Sequence, residues 1–158
     1  LWFDNNAEEA VNFYLSVFPD SQIENKLKYS EAGPGEKGSI LSITFSIKGV
    51  KFIALNGGPH FEFTPAISFL IECESQQEID HYWDKLSAGG VIEQCGWLKD
   101  KFGVSWQVVP SSLLQMLQDE DAERVKRVTE ALLKMNRIVI SDLELAHQGK
   151  RFFRLEED

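Results

Sequence analysis

A worn internal repeat constrains this chain more than any single residue does. Displacing the numbering by 69 lays Leu1, Trp2, Ala10, Phe13, Tyr14 and Val17 on Leu70, Ile71, Ile79, Tyr82, Trp83 and Leu86. Both sets read as a short apolar strand, a polar cap, then apolar positions at the i, i+3, i+4, i+7 spacing of one helix face. Asn6 with Glu9, and Ser75 with Glu78, have the spacing of a capping box in which the cap side chain and the glutamate satisfy each other's amides. A displacement of 54 lays Gly49, Val50 and Phe52 on Gly103, Val104 and Trp106, each set opening a final strand. The predicted unit is strand-helix-strand-strand-strand, present twice, over residues 1–58 and 66–110. Such a duplication tends to place a shared pocket between its halves, but it names no reaction.

The bulk numbers narrow the classes of function. A single chain of 158 residues is expected to bury roughly 70% of its unfolded surface. The formal charge of -9 argues against duplex nucleic acid, which is held mainly by cations on phosphates, and against an anionic membrane surface. No run approaches the roughly 18 apolar residues of a spanning helix. Cys73 and Cys95 are too few for a disulfide framework and suit a reducing cytosol, so a cytoplasmic location is expected. The chain opens at Leu1 without methionine, and the first strand is expected to begin upstream of Trp2-Phe3.

Within the first copy a helix is predicted over residues 7–18, stopped by Pro19, then a strand over 22–30 and a loop over 31–38. From Ser39 to Ile47 the alternation is clean, with Leu41, Ile43, Phe45 and Ile47 on one face and Ser42, Thr44 and Ser46 on the other. Lys48-Gly49 reads as a tight hairpin turn into a strand over 50–55. The second copy reads as a strand over 66–73, a helix over 76–88 stopped by Gly89-Gly90, short strands near 91–94 and 95–98, and a closing strand over 104–109. Residues 111–149 are expected to form a helical extension. Ser111 and Asp121 are its caps, Ser141 with Glu144 is a third capping-box spacing, and Val125, Val128 and Leu132 form a stripe. Residues 150–158 read as a tail.

Few motifs carry chemistry. Gly33-Pro34-Gly35-Glu36-Lys37-Gly38 matches G-x-G-x-x-G, yet a strand rather than a helix follows it, so it reads as a loop. No two of His60, His81 and His147 stand at i, i+4 on a helix. His60, after two glycines and a proline, reads first as a loop histidine, with a place near the pocket as the alternative. Cys95 reads as a small buried strand cysteine, since no neighbour in sequence would lower its pKa; a nucleophile is the alternative. Gly96 suggests close approach of another group, and Trp97 suggests either core packing or a flat wall for a ligand.

Several segments resemble one family. These are Leu1-Trp2-Phe3-Asp4, Phe13-Tyr14, Phe18-Pro19-Asp20-Ser21, Leu55-Asn56-Gly57-Gly58-Pro59, Cys95-Gly96-Trp97, Asp100-Lys101-Phe102-Gly103, Ser105-Trp106-Gln107 and Pro110, and the pattern from Met135 to Ala146 is read as part of the match. They resemble the PhnB-like proteins of the vicinal oxygen chelate superfamily, alongside glyoxalase I and the bleomycin-resistance proteins. The resemblance implies an α+β fold of two βαβββ modules whose mixed sheets curl around a cleft, most often in a homodimer. It also implies ligand positions on the first and last strands of each module. One falls before Leu1; the others fall on Ile53, near Ser68, and on Gln107, where metal-binding relatives carry glutamate. Isoleucine cannot ligate, and neutral serine and glutamine oxygens are poor partners for a divalent ion. Family members often bear a ubiquinone-biosynthesis methyltransferase label, but no glycine-rich strand-turn-helix for S-adenosylmethionine occurs in this sequence.

The expectation is therefore a protein without metal or cofactor that binds a small, partly apolar molecule. Pocket candidates are Gln107, Ser68, Ile53, Trp97, Asn56, Cys95 and His60. The alternative is an enzyme of unidentified chemistry in which Gln107, Asn56, Cys95 or His60 supplies polar groups. No catalytic residue can be named. The stripe Val125, Val128, Leu132 and the run Ile138-Val139-Ile140 supply a second reason to expect a homodimer, because apolar residues of that extent seek cover.

Overall fold

The computed structural model describes residues 1–150; the tail expected over 150–158 lies, beyond its first residue, outside the described residues. The chain divides into two compact units, Leu1–Phe63 and a second beginning at Thr64.

In the first unit the elements are β1 (Trp2–Phe3), α1 (Ala7–Val17), β2 (Ser21–Lys28), β3 (Ile40–Ile47) and β4 (Val50–Asn56). They form a sheet of order β1-β4-β3-β2, with β1 parallel to β4 and the other pairs antiparallel. The alternation read from sequence decides the faces. Ile43, Phe45 and Ile47 are buried with Ala54 against Ala7, Ala10, Val11, Tyr14 and Val17 of α1, and burying each large side chain contributes about 1.5–3 kcal/mol. Ser42, Thr44 and Ser46 share the other face with Ile53, Leu55 and Lys51. Lys48 and Gly49 both take positive φ, 46° and 79°, which is the backbone that a two-residue hairpin turn demands.

In the second unit the elements are β5 (Ser68–Cys73), α2 (Gln76–Ser87), β6 (Val91–Ile92), β7 (Trp97–Lys99), β8 (Ser105–Pro110), α3 (Ser112–Leu117), α4 (Ala122–Leu132) and α5 (Ile140–His147). The sheet order is β5-β8-β7-β6, with β5 parallel to β8. Ile71, Cys73, Leu98, Trp106 and Val108 are buried on the side of Ile79, Tyr82, Trp83 and Leu86 of α2. Gly89, with φ of 76°, lies just past the end of α2, where a left-handed residue suits a helix stop.

Four expectations fail for identifiable reasons. First, the repeat is out of frame at the first strand. Trp2 pairs with Leu55 and Phe3 with Asn56, whereas Ile71 pairs with Val108 and Cys73 with Pro110. Since Ala54 and Asn56 correspond to Val108 and Pro110, the equivalents of Ile71 and Cys73 are Leu1 and Phe3. Trp2 thus shares a face with Leu55, not with the core, because a one-residue slip in a strand reverses every side chain. Second, Asn6 makes no side-chain cap. Asn56 Oδ1 accepts from the Ala7 amide at 2.9 Å in its place, while Asn56 Nδ2 donates to the Ile40 carbonyl at 3.0 Å. The Ser75 cap does form, accepting from the Glu78 amide at 3.2 Å.

Third, Cys95 is not in a strand. It and Gly96 take positive φ, 59° and 81°, in the turn before β7. Fourth, the apolar stripe of the extension is buried within its own unit. Val128, Ala131, Met135, Ile138, Leu143 and Ala146 pack with Val109 and Leu113, and Leu132 lies against them. The stripe therefore gives no reason for a dimer. Polar contacts hold the extension at the same place. Arg137 pairs with Asp80 at 3.1 Å and Asp84 at 2.5 Å, and Gln76 Oε1 accepts from the Ile140 amide at 2.9 Å. The start of α5 is thus capped by Gln76 of α2; Ser141 lies inside the helix and Ser111 makes no cap. Asp121 caps α4 as expected.

Candidate functional site

The second unit's sheet presents a grid on the face turned away from α2. Strand register sets its rows. Ser68, Ser105 and Lys99 align across β5, β8 and β7; Leu70, Gln107 and Trp97 form the next row; Glu72 and Val109 form the third. Strands lie about 4.8 Å apart and alternate residues of one strand about 7 Å apart. Each row is thus one short side chain from the next.

Gln107 and Ser68 are joined directly. Gln107 Nε2 donates to Ser68 Oγ at 2.9 Å, which leaves the Gln107 carbonyl oxygen and the Ser68 hydroxyl hydrogen for another partner. Ser105 is 1% exposed, and its Oγ has no hydrogen-bond partner among the described residues. The Lys99 ammonium makes no ion pair or hydrogen bond to a described residue. Trp97 is half-buried, and Leu70 is 56% exposed. The grid thus offers hydroxyls and a cation in one row, and an amide between two apolar side chains in the next.

Its supporting turn is built around Asp100. This carboxylate is 2% exposed; Oδ1 accepts from the amides of Phe102 at 2.9 Å and Val104 at 3.0 Å, and Oδ2 from Trp106 Nε1 at 2.9 Å. The indole and the turn amides pin the β7–β8 connection, and with it the row of Lys99 and Ser105.

The other candidates lie elsewhere. Cys95 Sγ faces the Leu132 carbonyl at 3.6 Å, and its amide donates to Met135. A Cβ on Gly96 would stand 2.6 Å from the Val108 carbonyl oxygen and 2.9 Å from Ile138 Cδ1. The group whose close approach Gly96 permits is thus the chain's own extension. Ile53, Asn56 and His60 belong to the first unit. Ile53 is 55% exposed on the face away from α1. Asn56 makes two side-chain contacts to backbone and lines the same open depression as His60. His60 lies edge-on to Trp2 and borders an open depression of about 430 Å³ shared with Asp4, Tyr29 and Glu36. Gly57 carries no side chain because a Cβ there would meet the Trp2 ring at 2.2 Å.

Reading of the sequence alone missed Lys99 and Asp100, and put Ser105 on the same strand face as Gln107 without making it a candidate. The alternation Trp97-Leu98-Lys99 held the signal for the first, since burying Leu98 turns both neighbours the other way. The residues on which the resemblance implies metal ligands, Ile53, Ser68 and Gln107, carry no charged donor and do not fit a metal. Among the described residues no cluster of three His, Cys, Asp or Glu side chains is arranged to hold an ion.

Two four-stranded mixed sheets, each built as βαβββ with one helix on one face, define the glyoxalase/bleomycin-resistance fold of the vicinal oxygen chelate superfamily. A family model described as 3-demethylubiquinone-9 3-methyltransferase matches residues 1–109, and the chain belongs to this PhnB-like family. It is 39% identical to the PhnB protein from Bacillus cereus, covering 70% of this chain and 95% of that one with a TM-score of 0.64. Protein PA1353 from Pseudomonas aeruginosa shares the fold at 21% identity and a TM-score of 0.59, over 70% of this chain and 92% of that one. No curated protein matches. The family match ends before the extension, so the pattern from Met135 to Ala146 falls outside it.

Proposed function

We propose that the chain binds a small, partly apolar molecule on the far face of its second sheet and needs no metal to do so. The observation that carries this reading is the Gln107–Ser68 hydrogen bond at 2.9 Å, which holds a neutral amide where metal-binding relatives place a carboxylate. A preformed amide–hydroxyl pair beside Trp97 orients a ligand by hydrogen bonds rather than by coordination. Metal analysis of protein purified without chelator, followed by a thermal-shift screen, tests it. The expected result is no stoichiometric divalent metal, and a stabilising compound whose effect is lost in Gln107→Leu. Stoichiometric metal would overturn the reading. Turnover that survives EDTA and disappears in Gln107→Ala would replace it with a metal-free enzyme on the same face.

A homodimer in the cytoplasm is part of the proposal. The exposed Leu27, Ile53 and Leu70 on the far faces favour a second copy over open water, and the unbridged Cys73 and Cys95 suit a reducing compartment. No helix among the described residues is long and apolar enough to cross a membrane. Light scattering at micromolar concentration is expected to report twice the 18.0 kDa chain mass, and a single-chain mass would refute the dimer.

A further inference from the structure

We infer that the molecule taken by this face is an anion with a flat apolar body, an aryl carboxylate in its simplest form. The inference rests on the binding reading above and adds the ligand's chemistry. Two independent observations converge on one row of the grid. Lys99 is half-buried on the far face, with no partner for its ammonium among the described residues. Beside it Ser105 is 1% exposed, and its Oγ has no partner among the described residues. A buried hydroxyl without a partner costs free energy, and an unpaired cation beside it draws negative charge. Both demands are met by one carboxylate, which accepts from the ammonium and from the hydroxyls of Ser105 and Ser68.

The next row fits the remainder of such a molecule. Leu70 and Trp97 flank Gln107 in register, so an aromatic plane lying about 7 Å along the strands would meet an aliphatic side chain and an indole. The Gln107 carbonyl oxygen would accept from a hydroxyl or amine on that ring. Charge along the grid gives the ligand a direction. Glu72 stands two rows from Lys99, and Glu93, whose amide donates to the Trp97 carbonyl at 3.0 Å, lies level with the middle row; both acidic side chains are off the Lys99 row, so the carboxylate is driven to the lysine end. Against a net charge of -9, a cation with no partner among the described residues at this place is the feature that selects an anion.

The test is a pair of probes of the same shape, naphthoate and its neutral isostere naphthamide, titrated into the full chain by calorimetry. Naphthoate is expected to bind about tenfold tighter or better, the worth of hydrogen bonds to a charged group. In Lys99→Met that preference should vanish, in Lys99→Arg it should persist, and Ser105→Ala should weaken naphthoate more than naphthamide. Thermal melts of the variants verify that the fold is kept. If both probes bind equally, lose affinity in Trp97→Ala and ignore Lys99→Met, the anion inference is wrong while the binding face stands. If neither probe binds at millimolar concentration, or binding ignores Trp97→Ala, both readings fall.

Discussion

Asp100→Ala is the most incisive single change, because the carboxylate holds three donors at once. Removing it takes the carboxylate acceptor from the Val104 amide and Trp106 Nε1, both at buried positions, and from the Phe102 amide at a part-buried one. A buried donor left unsatisfied costs about 1–3 kcal/mol, whereas the Phe102 amide can turn to water. Two full penalties give a loss of about 2–6 kcal/mol, centred near 4, which is a large share of the 5–15 kcal/mol that holds a typical domain together. Asp100→Asn separates the contributions. Its carbonyl oxygen keeps the two turn amides, but its NH₂ then faces the indole N–H, so one bond is lost for about 1–3 kcal/mol. Urea unfolding followed by far-UV circular dichroism, with slopes compared across variants, reads both numbers. A double-mutant cycle with Trp106→Phe should return a coupling of at least about 1 kcal/mol. If Asp100→Ala costs less than about 1 kcal/mol on the same scale, the carboxylate does not organise the turn and the account of how the Lys99–Ser105 row is held fails.

Two further outcomes follow from the packing of the extension. Gly96→Ala should destabilise by about 2–4 kcal/mol, combining overpacking against Val108 and Ile138 with a positive φ that alanine disfavours; an effect below half a kcal/mol in the same urea assay would contradict the close approach. The Asp119 carboxyl is held below its ordinary pKa of 3.8, first by the Asp121 amide and then by His147, whose Nε2 stands 2.8 Å away. Because the folded pKa is the depressed one, the stabilisation is present above 3.8 and is lost as pH falls through the lower folded value. Acid unfolding of Asp119→Asn should lose that part of its pH dependence, and an unchanged profile would refute the assignment.

Much of this molecule was legible because periodicity is local. The alternation of residues 41–47 and 104–109 fixes which side chains meet a helix, and Gln107 opposite Trp106 follows from it. What stayed hidden was decided by partners distant in sequence. Asn6 and Ser141 have the right type and spacing to cap, yet Asn56 and Gln76, each about fifty or more residues away, take the amides. The first strand was read one residue out of frame because Leu1-Trp2 and Leu70-Ile71 match in apolarity, and only pairing with β4 and β8 distinguishes them. The extension's stripe suggested an interface because composition cannot tell a second chain from the back of the same one. Lys99 escaped notice because a lysine on a short strand looks like solvent-facing charge until its neighbours are placed.

Binding of a small molecule on the far face of the second sheet can be followed residue by residue by NMR. The strongest stabiliser from the thermal-shift screen would be titrated while the indole N–H of Trp97, the side-chain amide of Gln107 and the backbone amides of β8 are followed. The largest shifts are expected on Gln107, Trp97 and Ser105, with little change at Tyr29 or His60. Shifts concentrated around the depression beside His60, with Gln107 unmoved, would contradict binding on that face.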